Sequence, residues 1–162
     1  MTQTPAILLV CLGNICRSPL AEGAMRAAAE RAGISVTVDS CGTAAYHIGE
    51  PPDPRSIDVA AAHGVDIAGL RGRQLTSSDF TEFTHIFAMD LENLRNIERV
   101  RPAGSAAHIS LLMDVVDGRE GAAIADPYYD GEDQFEVTWE DIWTAAQTFV
   151  ATLRVDSSDA TA

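Results

Sequence analysis

The sequence predicts one α/β domain in which helices cover both faces of a four-stranded parallel sheet. Short apolar runs alternate with segments whose apolar residues recur at helical spacing. Capping residues, glycines and prolines separate these segments. A length of 162 residues suits one domain with a full hydrophobic core. We therefore expect a single doubly wound, three-layer domain over residues 1–154, and a disordered tail over the polar residues 155–162.

The first strand and the first helix follow directly from the residue pattern near the amino terminus. The apolar run from Ala6 to Val10 predicts a buried strand. Ser18 has the side chain of an N-cap and Pro19 the fixed φ of a first helical residue, so we expect a helix to begin there. Gly33 is placed to end it. Apolar residues between these ends keep helical spacing: Leu20, Met25, Ala28, Ala29 and Ala32.

The second strand and helix are separated by a long loop. Ile34, Val36 and Val38 alternate with polar residues, and this pattern predicts a second strand that ends near Ser40. The segment from Cys41 to Pro54 is rich in Gly and Pro, and it leaves the end of the strand where ligands bind in α/β sheets. Tyr46 in this loop is a candidate wall for a flat aromatic substrate. Asp53 and Pro54 predict the cap and first residue of a second helix.

The second half of the chain supplies two strands and two longer helices. We expect strands at His85 to Met89 and at His108 to Leu112, with a helix between them that Asp90 caps. A closing amphipathic helix is predicted from apolar residues at helical spacing, with both tryptophans in the core: Phe135, Trp139, Ile142, Trp143, Ala146, Phe149, Val150 and Leu153.

The charge balance excludes several functions. The chain carries 24 acidic and 11 basic residues, a formal net charge of −13, and every basic residue is an arginine. Nucleic-acid binding depends on clustered cations, so it is not expected. Without lysine, a Walker A loop and a Schiff-base mechanism are excluded. Cysteines and histidines lack metal-ligand spacing, and we expect neither a metal nor a cofactor.

The cellular setting is inferred from apolar length and cysteine number. The first apolar run is too short to span a membrane and lacks a basic leader, so neither membrane insertion nor a signal peptide is expected. Three cysteines, an odd number, suit a reducing compartment. We expect a cytoplasmic protein that is a monomer or a weak dimer.

Residues 11–18, here called the anion loop, join the first strand to the first helix. Gly13 permits a sharp turn and Asn14 tolerates the left-handed region. Backbone N–H groups facing inward at a helix start form a site for a phosphate-sized anion. Cys11 and Arg17 lie at its ends. Amides and a guanidinium favour a thiolate nucleophile, while the planar arginine fork matches two phosphoryl oxygens. An isolated cysteine and arginine at this spacing would more simply be a buried residue and a surface charge.

A resemblance to a known family rests on two motifs. The run from Val10 to Glu22, VCLGNICRSPLAE, resembles the signature of the low-molecular-weight protein tyrosine phosphatases. Asp126 to Tyr129, DPYY, resembles their general-acid loop. The likeness continues through SCGT at 40–43, YH at 46–47, PPDPR at 51–55, RQLT at 73–76 and AMD at 88–90. It implies a flavodoxin-like sheet and hydrolysis of phosphotyrosine in protein substrates.

The resemblance also implies a role for each matching residue. Cys11 would attack phosphorus, Arg17 would bind its oxygens, and Asp126 would act as general acid and then general base. Further residues would bind the substrate, namely Leu12, Gly13, Asn14, Ile15, Cys16, Ser18, Tyr46, Tyr128 and Tyr129. Ser40 and Asp90 would support the site, and Asn14 and Ser18 would also hold the loop in shape. Asp90 would orient Arg17, although a plain helix cap explains it equally well.

Cys16 and Leu70 carry two further expectations. The curl of the anion loop could bring Cys11 and Cys16 within disulfide reach, and the resembled family pairs these positions, so we expect reversible oxidation there. Leu70 stands where many family members have a histidine. We therefore expect the hydrogen-bond network behind the loop to be incomplete.

Four alternatives remain open at this point. Arsenate reductases of this fold need cysteines in the second half, and none follows Cys41. Protein-arginine phosphatases carry threonine where Ile15 stands. A non-catalytic phosphotyrosine-binding protein would need neither a nucleophile nor an acid, and a phosphocysteine carrier would not use Asp126.

Overall fold

The sheet of this computed structural model contains four parallel strands, β1 (Ala6–Cys11), β2 (Thr37–Gly42), β3 (His85–Ala88) and β4 (His108–Leu111). The structure describes residues 4–161, and side chains over residues 4–154. The strand order is β2-β1-β3-β4, so the chain reverses direction of travel across the sheet after β2. Ligands bind at such a reversal, beyond the carboxyl ends of the strands. The predicted doubly wound parallel sheet is confirmed.

Within residues 4–161, five α-helices and one 3₁₀ helix pack around the sheet. They are α1 (Arg17–Ala32), α2 (Pro54–Ala62), α3 (Asp79–Glu82), α4 (Leu91–Val100), the 3₁₀ helix at Leu112–Val115, and α5 (Glu132–Thr161). Helices α1, α2 and α5 share one hydrophobic core with the sheet, and α3 and α4 contribute to a second core on the opposite face. Neither α3 nor the 3₁₀ helix is predicted from the sequence, because each is a single short turn.

Strand β1 is buried on both faces, which explains why its sequence is a continuous apolar run. Ile7, Leu9 and Cys11 belong to the core under α1 and α5. Leu8 and Val10 point to the opposite core. This alternation places the Cys11 side chain on the α1 side of the sheet, at the carboxyl end of the central strand.

The start of α1 differs from the prediction. The helix begins at Arg17, its N-cap is Cys16, and no side chain caps it. Ser18 therefore lies inside the first turn, where its hydroxyl contacts Cys11 Sγ at 3.0 Å and accepts a hydrogen bond from Asn14 at 2.8 Å. The local sequence pattern predicted that the Ser18 hydroxyl caps the helix, but in the folded protein this hydroxyl contacts Cys11 and Asn14 instead. Gly33 does end the helix, with a φ of 72°.

Predicted caps of α2 and α4 are confirmed. The Asp53 carboxylate accepts from the Arg55 N–H at 2.9 Å, with Pro54 in the first helical turn. The Asp90 carboxylate accepts from the Asn93 N–H at 2.8 Å. These caps are local hydrogen bonds, so the sequence alone is enough to recognise them.

Several strand ends also shift. Strand β2 begins only at Thr37, so Ile34 and Val36 precede it, and both pack against the core from the connecting segment. Strands β3 and β4 each end one residue earlier than predicted, at Ala88 and Leu111. In each case the apolar pattern predicts which residues are buried. The strand boundary is instead defined by the hydrogen bonds between neighbouring strands, so the two need not coincide.

Helix α5 closes the domain over α1. Trp139 is in the core, with 2% of its surface exposed. Trp143 is only partly buried, so its predicted core position is wrong. It stacks on Trp139, and the guanidinium of the exposed Arg31 lies 4.8 Å from its ring centroid.

Helix α5 extends to Thr161. The side chains of residues 155–162 lie outside the described ones, and the disordered tail stays a prediction. Among the described helices, none has a stretch both long and apolar enough to cross a membrane.

Candidate active site

A pocket opens at the carboxyl end of β1, where the anion loop meets two other loops. Residues of the anion loop form its floor, and the segments around Tyr46 and Tyr128 form its walls. The lining residues are Cys11, Leu12, Gly13, Ile15, Cys16, Arg17, Tyr46, His47, Asp126, Tyr128 and Tyr129. Within the described chain, the structure thus brings together residues that are up to 118 positions apart, and it adds His47, which the sequence analysis did not assign to the site.

Asn14 holds the anion loop in its curled form. Its φ of 59° is left-handed, as asparagine tolerates. Its buried side-chain amide donates to Ser18 at 2.8 Å and to Ser40 at 3.0 Å, while its carbonyl oxygen accepts from the Arg73 N–H at 3.1 Å. Because a buried amide with all these partners has one stable orientation, Asn14 ties the loop to β2 and to the segment before α3.

Cys11 Sγ lies between two hydrogen-bonding groups. The Ser18 hydroxyl is 3.0 Å away, and the Asn14 N–H donates to the sulfur at 3.3 Å. The cysteine is only 4% exposed, yet it lines the pocket. The Asn14 N–H can only donate to the sulfur, whereas the Ser18 hydroxyl can either donate to it or accept from it. These contacts fix the position of the sulfur in the pocket.

Arg17 is held by hydrogen bonds on the side away from the pocket, and it also lines the pocket. Its Nη1 donates to Asp90 at 2.7 Å and to the Ile124 carbonyl oxygen at 2.9 Å, and its side chain is 5% exposed. Asp90 caps α4 with one oxygen and binds Arg17 with the other, so the contacts that both explanations require are present. Since Nη1 is occupied, the guanidinium turns its Nη2 side toward the pocket.

Asp126 lies at the pocket mouth in a segment that we call the acid loop (residues 126–131). One carboxylate oxygen accepts from the Tyr128 N–H at 3.1 Å, and the other is 3.8 Å from Arg17 Nη2. Its side chain is 48% exposed. The Asp126 carboxyl group therefore lies on the solvent side of the pocket, and Cys11 and Arg17 lie at the floor of the same pocket.

Three tyrosines rise around the opening. Tyr128 and Tyr129 meet edge to face, with ring centroids 4.9 Å apart. Tyr46 stands on another wall, in a segment pinned to the loop before α3: the Gly49 N–H donates to the Gly72 carbonyl at 2.8 Å. A Cβ atom at Gly72 would lie 2.3 Å from the His47 carbonyl oxygen, so this close approach requires glycine. Three aromatic side chains therefore border the opening.

The network behind the anion loop is closed despite Leu70. Ser40 donates to the buried Glu22 at 2.7 Å, and Glu22 pairs with Arg26 at 2.7 Å. Leu70 packs against the hydrophobic core instead of joining this network. Leu70 cannot supply the hydrogen bond of a histidine, but Asn14, Ser18, Ser40 and Glu22 remain hydrogen-bonded to one another. Glu22 was not predicted to take part, although its i, i+4 spacing to Arg26 was visible in the sequence.

Cys16 and Cys41 are free and buried, as is Cys11. Burial, together with the charges of Asp53 and Asp126, raises the pKa of the Cys16 thiol to about 12. Burial also raises the pKa of Cys41 well above its ordinary value. Both thiols are therefore protonated at neutral pH and are poor nucleophiles.

The histidines lack metal-ligand spacing in the sequence, but one of them has acidic neighbours in the structure. His63 contacts Glu136 at 2.6 Å, and a ligand atom of Glu140 lies within 4.8 Å of both. His63 also stacks on Trp139. These carboxylates are exposed, and the contact is fully explained as a hydrogen bond between the residue that ends α2 and a side chain of α5.

Fold and pocket together define an α/β protein with an anion-binding loop, in which a cysteine, an arginine and an aspartate surround one site. Comparison with known proteins agrees with this class. Residues 6–159 match the family model described as low molecular weight phosphotyrosine protein phosphatase. The Schizosaccharomyces pombe protein of that name is 43% identical over 156 residues, covering 94% of this chain and 99% of the relative. The human protein of that name is 35% identical, covering 91% and 94%.

Solved structures show the same relationship. A protein tyrosine phosphatase from Entamoeba histolytica superposes with a TM-score of 0.88 at 31% identity, covering 95% of this chain and 99% of that one. YfkJ from Bacillus subtilis also gives 0.88, at 32% identity, covering 96% and 98%. The chain therefore belongs to the low molecular weight phosphotyrosine protein phosphatase family, as its motifs predicted.

Proposed function

We propose that this protein hydrolyses phosphotyrosine and related aryl phosphates through a phosphocysteine intermediate. The observation that carries the proposal is the Cys11 sulfur, held 3.0 Å from the Ser18 hydroxyl and 3.3 Å from the Asn14 N–H in a pocket that Arg17 and Asp126 share. Its relatives are named as phosphotyrosine phosphatases.

In the first step, the Cys11 thiolate attacks phosphorus and the bond to the phenolic oxygen breaks. Backbone N–H groups of the anion loop and Arg17 Nη2 hold the equatorial oxygens, whose charge is greatest in the transition state. Asp126 gives its proton to the departing phenolate. The products of this step are a phosphocysteine, a neutral phenol and the Asp126 carboxylate.

In the second step, water attacks the phosphocysteine from the side that the phenol has left. The Asp126 carboxylate takes the proton from water as the new P–O bond forms. The S–P bond breaks, and the returning thiolate regains its hydrogen bonds from Ser18 and the Asn14 N–H. Inorganic phosphate leaves, and Asp126 is protonated for the next cycle.

The walls favour an aromatic leaving group. Tyr46, Tyr128 and Tyr129 surround the opening, and aromatic rings gain most by packing edge to face or offset on such groups. Phosphotyrosine side chains of proteins are therefore the proposed substrates. We place the protein in the cytoplasm, where reducing conditions keep its three cysteines as thiols.

Phosphoarginine is the second candidate substrate, and a direct comparison tests the proposal. Ile15 lines the pocket and also packs against the core, so this position presents an apolar surface with no hydroxyl toward a guanidinium. We expect kcat/KM for a phosphotyrosine peptide to exceed that for a phosphoarginine peptide of the same flanking sequence by about a hundredfold. Phosphate release measures both rates. Equal rates, or faster turnover of phosphoarginine, would contradict the substrate assignment.

We also propose that Cys16 protects Cys11 from peroxide. Peroxide oxidises the Cys11 thiolate to a sulfenic acid, and attack by the Cys16 thiolate forms the disulfide and releases hydroxide, which becomes water. Because the pKa of Cys16 is raised to about 12, its thiolate fraction grows about tenfold for each pH unit at neutral pH. We expect the activity that a thiol reductant restores after peroxide treatment to increase from pH 6 to pH 9.

Cys16→Ser is expected to keep most activity and to be inactivated irreversibly at each pH, whereas Cys41→Ser should behave like the wild type. Mass spectrometry of the inactivated protein should find Cys11 linked to Cys16. A link from Cys11 to Cys41, or full recovery of Cys16→Ser, would disprove this protection.

A further inference from the structure

Arg55 occupies an unfavourable place for a cation. It lies in the first turn of α2, where the helix dipole is positive. Asp53 compensates, because its carboxylate accepts from Arg55 Nε at 3.1 Å and from Arg55 Nη2 at 3.0 Å, besides the backbone N–H. A cap alone needs only the backbone contact, so the side-chain pair requires another explanation.

The remaining donors of Arg55 reach the acid loop. Nη2 donates to the Tyr128 carbonyl at 2.9 Å and Nη1 to the Asp130 carbonyl at 3.2 Å. The guanidinium also lies 4.6 Å from the Phe135 ring centroid. The other hydrogen bonds of residues 127–131 have partners within residues 126–134. Among residues 4–154, the two bonds from Arg55 are therefore those that connect this part of the acid loop to the rest of the domain. Arg55 therefore holds the acid loop against the domain.

Asp53 joins the same unit to the anion loop. Its backbone N–H donates to the Ile15 carbonyl at 2.8 Å, and its side chain is 10% exposed. Burial alone would raise the pKa of Asp53, but the hydrogen bonds from Arg55 outweigh burial and lower it. The pair is therefore charged at neutral pH, and it spans from the floor of the pocket to its mouth.

Asp126 itself has few contacts. It accepts one local hydrogen bond from Tyr128, lies 3.8 Å from Arg17, and is half exposed. The place of its carboxyl group depends on the backbone on both sides of Asp126. On the amino side, Arg17 donates to the Ile124 carbonyl at 2.9 Å and Thr138 donates to the Ala125 carbonyl at 3.1 Å. On the other side, Arg55 binds the Tyr128 and Asp130 carbonyls of the acid loop. We propose that Arg55, braced by Asp53, is a positioning residue that holds Asp126 where it can protonate the leaving group. This inference rests on the proposed function.

Arg55→Gln tests it through the leaving group. A misplaced acid slows only those substrates whose leaving group needs a proton, and a displacement of about 1 Å costs up to about a hundredfold. We expect kcat/KM for phenyl phosphate to fall about tenfold to a hundredfold, and that for 2,4-dinitrophenyl phosphate to change less than about threefold. Competitive inhibition by inorganic phosphate should be unchanged, because the anion loop keeps its own bonds.

A double variant gives the second readout. In the Asp126→Ala background, Arg55→Gln should cause no further loss with phenyl phosphate, because its effect acts through Asp126. Arg119→Gln is the matched control: Arg119 also pairs with an aspartate, Asp141 at 2.8 Å, but lies away from the pocket. If Arg55→Gln does not fold, Arg55→Lys serves instead, since one ammonium group cannot bind Asp53 and both carbonyls together.

Equal losses across both leaving groups, additive losses with Asp126→Ala, or no loss at all would each overturn the role of Arg55. The proposed function fails by a different result, namely that the wild type does not release phosphate from phosphotyrosine. The two failures are therefore distinguishable in the same set of assays.

Discussion

Cys11→Ser is expected to abolish turnover of every phosphate monoester. A serine hydroxyl in the same place is far less ionised than a thiol, and the two donors around Cys11 Sγ, at 3.0 and 3.3 Å, are too few to ionise it. The variant should still bind inorganic phosphate, because the loop amides and Arg17 remain. Phosphate release and phosphate binding by calorimetry are the two measurements. Cys41→Ser, at a buried position outside the pocket, is the control and should keep wild-type activity.

Arg17→Lys belongs to the same prediction and should cost about a hundredfold or more in kcat. Arg17 holds Asp90 and the Ile124 carbonyl with one nitrogen while a second faces the pocket. A lysine has a single nitrogen and cannot do both. Arg119→Lys is the matched control. Activity retained by Cys11→Ser, or a near-native rate in Arg17→Lys, would contradict the proposed mechanism.

Asp126→Ala is expected to give the second-largest effect, and its size should depend on the leaving group. General acid catalysis contributes about a hundredfold to ten-thousandfold. We expect a loss in that range for phenyl phosphate and phosphotyrosine peptides, whose phenolate leaves poorly without a proton. Aryl phosphates with strongly acidic phenols should lose far less. The measurement is kcat/KM over a series of substituted phenyl phosphates.

The matched control for Asp126→Ala is Asp130→Ala, also in the acid loop. Asp130 uses its backbone carbonyl to bind Arg55, and this group remains when the side chain is shortened. It should therefore keep a wild-type dependence on the leaving group. An equal loss across the series in Asp126→Ala would show that this carboxyl group does not protonate the leaving group.

Much of the fold was predictable because the signals are local or periodic. The run from Ala6 to Val10 is continuous since β1 is buried on both faces. Gly33, Asp53 and Asp90 mark helix ends through bonds to neighbouring residues. The residues that line the pocket were recognisable for a similar reason. The anion loop is one continuous segment, and the acid loop is another.

The predictions from the sequence failed or were incomplete where a side chain can interact either with its sequence neighbours or with residues far away in the chain. Ser18 has the chemistry of a cap, yet its hydroxyl binds Cys11 and Asn14. Glu22 sits on a helix face like many solvated acids, yet it is 3% exposed and accepts from Ser40. Trp143 repeats at core spacing, yet it lies at the edge of the core beside Arg31. Periodicity does not report how far a helix is covered.

The sequence by itself determined the parallel α/β architecture, the anion loop and the chemical identity of Cys11, Arg17 and Asp126. Those features depend on residue type and on spacing within short segments. Only the tertiary structure decided how the segments meet: Asp90 behind Arg17, 73 positions away, and Arg55 beneath carbonyls 73 and 75 positions away. Such partners are decided by which loops the sheet brings to one edge. The buried Arg17 guanidinium in particular bonds to the partner that lies there, because leaving a buried polar group unpaired costs about 1–3 kcal/mol.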